Sequence, residues 1–562
     1  DLDTSFLSGD PAIADGKHIY PRTSGFDGLY DVFTQSNGNL VLSGWDNNNT
    51  SSSTAVRWAG IEVNSSGTDT GLFSNPNDRL FWSPRTDAIY ETLLMNDGRY
   101  AQVGAAGTSS SSSSTTSSSS DYDCAVAVRG TNGVLDTSFS GNGKLFVTFS
   151  GSKEDKCYAG AIQPSDGKII VAGYVATNLA DIALARLNTD GTLDTSFGAA
   201  GTGKVVANLG GYDSIRAVEI DASGRIVVAG KATDDFFVAR YTTSGTLDTS
   251  FGAGGILTFD LGASQVDQLW GMKIQDDGKI VVTGYTDVAP RNIGVARLNT
   301  NGTLDSGFGS GGITITDFGG NDLARGLVIA SDGKILVGGS TNVNGDYDFA
   351  VARYTTAGVL DTSFSSDGLA TVDVRGTNRS DFAFAIAIAG NGNVVLAGRS
   401  FVPTSAASTE WAVAQFVSST GPPPSITMAA FGKFHKDDQD TVIATHENPA
   451  VTAVPGGYQA GNTMSSGTED AQDYVVNGTD RTFTLVLGAQ PASNVVLDFS
   501  VGAWSGNDAS RPASTTLGTD LVIKNSGGST VTAATFTTSN WDSAQTFTVV
   551  PVQDDIIEGF EN

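Results

Sequence analysis

The sequence predicts an all-β chain: a seven-bladed β-propeller of four-stranded blades over residues 1–421, a connector over 422–463 and a β-sandwich over 464–562. Three recurring motifs predict the propeller. LDTSF occurs at residues 2–6, 135–139, 193–197, 247–251 and 360–364, with variants ending at Phe73 and Phe308, so that successive Phe residues lie 54 to 67 positions apart. A turn followed by an apolar strand, as in DGKIIVAG, begins at Asn37, Asp97, Asp166, Ser223, Asp277, Asp332 and Asn391. A second apolar strand, as in DFAVAR, begins at Thr54, Asp123, Asp181, Asp235, Asn292, Asp348 and Glu410. A period of this length marks a repeat whose unit cannot bury its own apolar face and must stack on a neighbour.

Each unit divides into elements in the same order. In the unit at 322–374 the runs ARGLVIA, KILVGG, DFAVARY and GLATVDV are rich in β-branched and aromatic residues and bounded by Gly, Asp, Asn or Ser, which reads as four short strands. The Asp-Gly pair between the first two signals a tight hairpin, because both residues tolerate positive φ. The strands therefore meander antiparallel. Their apolar runs hardly alternate, as expected of sheets covered on both faces, and blades stacked in a closed ring meet that condition.

The ends of the pattern interlock. The seventh unit has strands near 382–389, 394–398 and 411–416, and then Gly421-Pro422-Pro423-Pro424 in place of an outer strand. Residues 1–6 are the connector that elsewhere follows a third strand. The segment 14–20 is thus expected to supply the missing outer strand, closing the ring and removing an open sheet edge.

These motifs resemble the bacterial delta-60 repeat family, whose LDTSFG…DGKIVVAG…DFAVARY signature recurs almost verbatim over residues 1–420. The layout also resembles a WD-repeat blade, without the WD dipeptide. The resemblance implies the fold and leaves the activity open, since propellers host many functions.

Charge narrows the partners. With 60 acidic and 32 basic residues the net charge is −28, which repels nucleic acid and acidic membrane surfaces and favours cations. No apolar run is long enough to span a membrane, so no membrane insertion is expected in this segment. The chain opens without Met or a signal peptide, which reads as a processed product or an excerpt. Few cysteines and lysines, many Ser, Thr, Asn and Gly, and strong acidity resemble secreted bacterial surface proteins, so an extracellular or cell-surface location is expected. Cys124 and Cys157 open strands in consecutive units and should lie near one face, either as a disulfide or as two buried thiols.

One face of the disc repeats and the other varies. The Asp-Gly turns and LDTSF connectors fall on the first; the loops between second and third strands, including the Ser/Thr tract at 108–120, fall on the second together with the links between blades. On the variable face Asp27, Asp87, Asp213, Asp267, Asp322 and Asp381 each sit eleven residues before the Gly of their turn, and Asp155 twelve before. These seven are expected at the starts of the innermost strands, ringing the channel entrance. Either each accepts backbone N–H groups and pins a link between blades, or together they take a cation or basic ligand. The LDTSF aspartates Asp3, Asp136, Asp194, Asp248, Asp305 and Asp361 read as local turn caps.

After Pro424 the repeat ceases. The runs FTLVLG, NVVLDFSVG, DLVIKN, TAATFTT and AQTFTVVPV suggest a sandwich. Gly518 to Ile523 and the run through DDIIEGFEN resemble a Calx-beta domain, apparently truncated where that family continues with a final strand. The resemblance implies calcium binding by Asp520, Asp554, Asp555 and Glu558, with Glu469 a weaker match.

Catalytic signatures are sparse: three His, and no HExxH, GxSxG, P-loop or CxxC. The sequence therefore reads as a secreted or cell-surface bacterial structural or adhesion protein, not an enzyme. The propeller would be a rigid display or ligand-binding module, with a protein, a glycan or further copies of itself as partner. The alternative is a glycan-active propeller enzyme working with carboxylates alone.

Overall fold

The computed structural model describes residues 2, 17–20, 27–47, 56–64, 68–73, 88–107, 122–149 and, with short gaps, 154–417; beyond these it describes strands alone, between 426 and 551. The chain divides into two units, Asp1–Thr420 and Gly421–Asn562.

Seven antiparallel meanders build the first unit. Six have four strands, and three are described for the first blade. The innermost strands, one per blade, are Gly28–Thr34, Ala88–Leu94, Asp155–Ile162, Ser214–Ile220, Asp267–Ile274, Asp322–Ile329 and Asp381–Ile388. Each touches the next and the last touches the first, so the ring is a closed propeller. Closure comes from the expected place: Lys17–Tyr20 pairs antiparallel with Thr409–Phe416, from Lys17↔Ala414 to Tyr20↔Trp411. Leu2 bridges Phe416 as Leu193 bridges Leu187 and Leu304 bridges Leu298 in other blades.

Middle strands are buried on both faces, as their unbroken apolar runs require; Ile335–Thr341 and Asp348–Tyr354 are buried throughout. The LDTSF phenylalanines Phe139, Phe197, Phe251, Phe308 and Phe364 plug the junctions between blades and are at most 1 % exposed. Burying each such ring contributes about 1.5–3 kcal/mol.

Beside each ring sits a repeated ion pair. The next-to-last residue of a third strand, an Arg, pairs with the LDTSF carboxylate: Arg186 with Asp194 at 2.7 Å, and Arg240 with Asp248, Arg297 with Asp305 and Arg353 with Asp361 at 2.8 Å. Its guanidinium lies over the same motif's Phe, at 4.7 to 4.8 Å, and in blades three to five donates to a main-chain oxygen of the next blade, such as Thr300. The other carboxylate oxygen caps its own turn, as Asp194 does for the Ser196 N–H and hydroxyl. These bonds hold the carboxyls low: Asp248 and Asp361 fall to about 2 despite partial burial. The expected local cap is present, and an inter-blade anchor comes with it.

Cys124 and Cys157 form a disulfide with Cα atoms 4.9 Å apart, joining the third strand of blade two to the innermost strand of blade three.

In the second unit, Ile426–Met428, Arg481–Leu487, Gln545–Pro551, Leu521–Asn525 and Thr530–Val531 form one sheet in that order. Phe434–Lys436, Val442–Ala444 and Tyr474–Val475 form a second, and Val495–Asp498 pairs with Ala533–Phe536. The segment expected as a connector thus contributes three short strands.

Candidate functional site

A bulge in every innermost strand builds the channel lining. The Gly that closes each turn-and-strand motif, Gly44 in blade one and Gly398 in blade seven, lies against a carbonyl of its innermost strand. A Cβ there would sit 2.0 Å from the Gly28 oxygen or 1.9 Å from the Phe382 oxygen. Only glycine allows that approach. The pairing consequently slips by one residue in all seven blades, for example between Leu29 and Asp31 and between Ala383 and Ala385. A bulge leaves one residue unpaired and re-aims its side chain.

The unpaired residues are Tyr30, Tyr90, Tyr158, Arg216, Trp270, Arg325 and Phe384, and they meet in a closed circuit around the channel. Tyr30 packs on Tyr90 at 5.3 Å and Tyr90 on Tyr158 at 4.9 Å. The Arg216 guanidinium lies 3.8 Å from the Tyr158 ring centre and 4.4 Å from that of Trp270. Arg325 lies 4.1 Å from Trp270 on its other side and 5.8 Å from Phe384, which returns to Tyr30 at 5.0 Å. Arg399, on the next strand of blade seven, stacks between Phe382, Phe384 and Phe401. None of the three guanidiniums has a described carboxylate as an ion-pair partner, and the Arg399 Nε and Trp270 Nε1 donors are buried without an acceptor. Burial pulls Arg325 below its ordinary value, and the charges of Arg216 and Arg399 add to the effect.

Further along the same strands lies a second, charged layer. Asp31 accepts the Thr92 N–H at 2.7 Å and Glu91 the Gly160 N–H at 2.6 Å, each tying its blade to the next. Burial raises the Asp31 carboxyl to about 6, and burial together with the Asp31 charge raises Glu91 to about 8. Lys273 pairs with Glu219, whose charge raises the ammonium above its usual range. With 46 % of its side chain reached by solvent, Lys273 faces water inside a channel walled by protein.

The six described aspartates of the expected seven stand at or just before the starts of the innermost strands, and five of them take the first of the two expected roles, accepting N–H groups of the links. Asp87 lies outside the described residues, and Asp27, Asp155, Asp213, Asp267, Asp322 and Asp381 are all 0 % exposed. Five accept an N–H from the link that leaves the preceding blade: Phe149 to Asp155, Leu209 to Asp213, Leu261 to Asp267, Phe318 to Asp322 and Val374 to Asp381, at 2.6 to 2.8 Å. Asp27 binds Thr409 through its own main chain. A short polar side chain buried beside a link is held by the unpaired N–H there, and the channel wall passes to the residue three places on. Asp520, Asp554, Asp555, Glu558 and Glu469 lie outside the described residues.

The sequence signal for the lining was present in those same aspartates. The residue three positions after each one is Tyr30, Tyr90, Tyr158, Arg216, Trp270, Arg325 or Phe384. Regular two-residue alternation conceals it, because the bulge shifts the register between the two positions.

Four segments, 165–197, 222–251, 275–308 and 330–364, match the family model of a β-propeller domain of unknown function, DUF5122. No curated protein matches the chain in sequence. Among solved structures it resembles a virginiamycin B lyase from Staphylococcus aureus, at 10 % identity over 71 % of this chain and 99 % of that one, with a TM-score of 0.40. It also resembles the NanB sialidase of Streptococcus pneumoniae, at 10 % identity over 71 % and 70 %, TM-score 0.38. A third is the periplasmic gluconolactonase of Pseudomonas aeruginosa, at 13 % identity over 71 % and 98 %, TM-score 0.36. This likeness to a lyase, a sialidase and a gluconolactonase corrects the expectation that the chain is not an enzyme. At such identities it assigns none of their reactions.

Proposed function

We propose that the first unit is a ligand-binding module of an extracellular or cell-surface protein, and that its channel mouth takes an acidic glycan. One observation carries the reading: Arg216, Arg325 and Arg399 stand between aromatic faces without described carboxylate partners, in a chain of net charge −28. An anion is favoured where guanidiniums lack counter-charges, and it gains bidentate bonds there. The flanking rings of Tyr158, Trp270 and Phe384 offer flat apolar surface to the other side of the ligand. A sugar ring bearing a carboxylate satisfies both. The Cys124–Cys157 bond supports an oxidising compartment, and a closed ring of blades suits rigid display or adhesion. For the second unit, the acidic run through Glu558 supports a calcium-stabilised, Calx-beta-like sandwich.

Calorimetric titration with uronate and sialyl oligosaccharides, against their neutral counterparts, tests the mouth. Acidic ligands should bind, and Arg325→Ala should weaken them about tenfold or more. Equal binding of neutral sugars, or no effect of Arg325→Ala, removes the reading.

A second reading follows from the charged layer. Glu91, raised to about 8, holds a proton at neutral pH beside the more acidic Asp31, the pairing a general acid and base need. Turnover of an acidic glycan to smaller products, lost in Glu91→Gln, supports cleavage; binding without turnover leaves the module a binder.

A further inference from the structure

Five junctions between blades bring together the same three positions: the residue opening a third strand, the residue just after the outer strand opposite it, and the buried aspartate opening the next innermost strand. In the junction after blade two these are Asp123, Thr148 and Asp155, and the Thr148 hydroxyl donates to Asp123 at 3.0 Å. After blade three they are Asp181, Asn208 and Asp213, and the Asn208 amide donates to Asp181 at 2.7 Å. A neutral donor thus separates two acids. After blades four, five and six the middle position is itself acidic, as Asp260, Asp317 and Asp373. Asp235, Asp260 and Asp267 also act on one another after blade four, but among the described residues it is Asp348, Asp373 and Asp381 that meet with one carboxylate oxygen of each within 4.8 Å of the others. Asp348 and Asp373 sit opposite each other across the strand pair, where like charges repel.

Two of these acids are buried and incompletely bonded. Asp348 is 3 % exposed and Asp381 0 %, and the Oδ1 atom of each has no hydrogen-bond partner. Their Oδ2 atoms are occupied by the Asn344 amide and the Val374 N–H. Asp346 adds another buried oxygen without a partner close enough to act on Asp348. Burial raises Asp381 to about 7 with help from the charges of Asp373 and Asp348, against the opposing effect of the nearby Ser400 hydroxyl and the Val374 N–H. Of the nearby cations, Arg375 bonds Glu410 and Ser400, and Lys17 donates to the main-chain oxygen of Asp373 itself.

We propose that Asp348, Asp373 and Asp381 bind a hard divalent cation, calcium foremost, that clamps the sixth blade to the seventh. Unfilled oxygens of buried carboxylates are what such an ion coordinates, and the half-buried Asp373, one oxygen of which accepts the Gly376 N–H, leaves room for water to complete a shell of six to eight oxygens. The ion takes the place that the Asn208 amide holds three junctions earlier. Because the seventh blade is the one closed by the N-terminal strand, the clamp acts beside the seam of the ring.

The test compares the full chain with Asp373→Asn, which installs the neutral side chain found at Asn208. Calcium chloride alone is the probe, against buffer with chelator, read by calorimetric melting of the propeller transition and by calcium titration. The full chain should gain a propeller shift with calcium and bind one more ion than the variant. Asp373→Asn should melt in chelator at or above the parent's temperature and gain no propeller shift. Asp348→Asn provides a second variant should Asp373→Asn misfold, with the same loss of one ion expected. A propeller transition unmoved by calcium in the parent, or equal ion counts in parent and variants, overturns the proposal. Calcium held by the second unit leaves the parent–variant difference unaffected.

Discussion

The rim and the channel of this propeller obey opposite rules. At the rim, Arg, Asp and Phe recur with almost the same distances from blade to blade: Arg240, Asp248 and Phe251 repeat in Arg297, Asp305 and Phe308. In the channel one backbone device, a bulge seated on a glycine, recurs seven times while its side chain changes among Tyr, Arg, Trp and Phe. Each rim junction faces a near-copy of itself, so one optimal solution serves every junction. The channel residues meet on a common axis, where a ligand has no sevenfold symmetry and identical side chains would be wasted. Repetition here reports stability, and departure from it marks the surface proposed for binding.

Several changes would break or sharpen that contrast. The largest loss is expected from deleting residues 1–20, which uncovers the edge of Thr409–Phe416 and unseats the seventh blade; a fall on the order of 5 kcal/mol in stability is expected. An unchanged melting temperature would show that the ring does not depend on this seam. Next comes Arg297→Ala, which leaves Asp305 without its main partner; about 3–5 kcal/mol should be lost, with little recovered by Arg297→Lys, since an ammonium cannot span carboxylate, main chain and ring together. Chemical denaturation of both variants measures this. Reduction of Cys124–Cys157, which closes a separation of 33 residues, should cost about 3–4 kcal/mol.

A pH series separates the two regions. Asp31 and Glu91 hold protons more tightly folded than unfolded, so their contribution is complete below about pH 4 and is lost as pH rises through about 6 and about 8. The rim aspartates act in the other direction: Asp248 and Asp361 stabilise fully above about pH 4, and the gain disappears as pH falls through about 2. Stability should therefore peak near pH 4 and decline toward pH 8, and Glu91→Gln should reduce the decline between about pH 6 and 8 while leaving the acid side unchanged. A decline of the same size in that variant would place its origin in groups other than Glu91. The smallest change in stability, within about 1 kcal/mol, is expected for Arg325→Ala, despite its predicted effect on ligand binding.

The sequence made the rim and the blade order legible because they repeat. LDTSF spacing located the plugs at Phe197 and Phe308, and the unpaired connector at Leu2 exposed the seam. The channel stayed hidden for a physical reason. Asp322 and Asp381 carried the conspicuous regularity, but burial and a link N–H explain them, and the lining begins three residues later beyond a register slip. Nor did sequence distinguish the ion pairs of Asp194 and Asp305 from simple caps, because their partners Arg186 and Arg297 are eight positions away on another strand.

The seam at Lys17↔Ala414 also sets an order of events during synthesis. Lys17–Tyr20 is made long before its partner, since Thr409–Phe416 must be synthesised before it has anywhere to pair. Pairing over so long a stretch of chain comes late, after local hairpins have formed. A product cut short before Thr409 keeps an unmatched strand and an open ring. Completion of the propeller is thereby written into the geometry of the seventh blade.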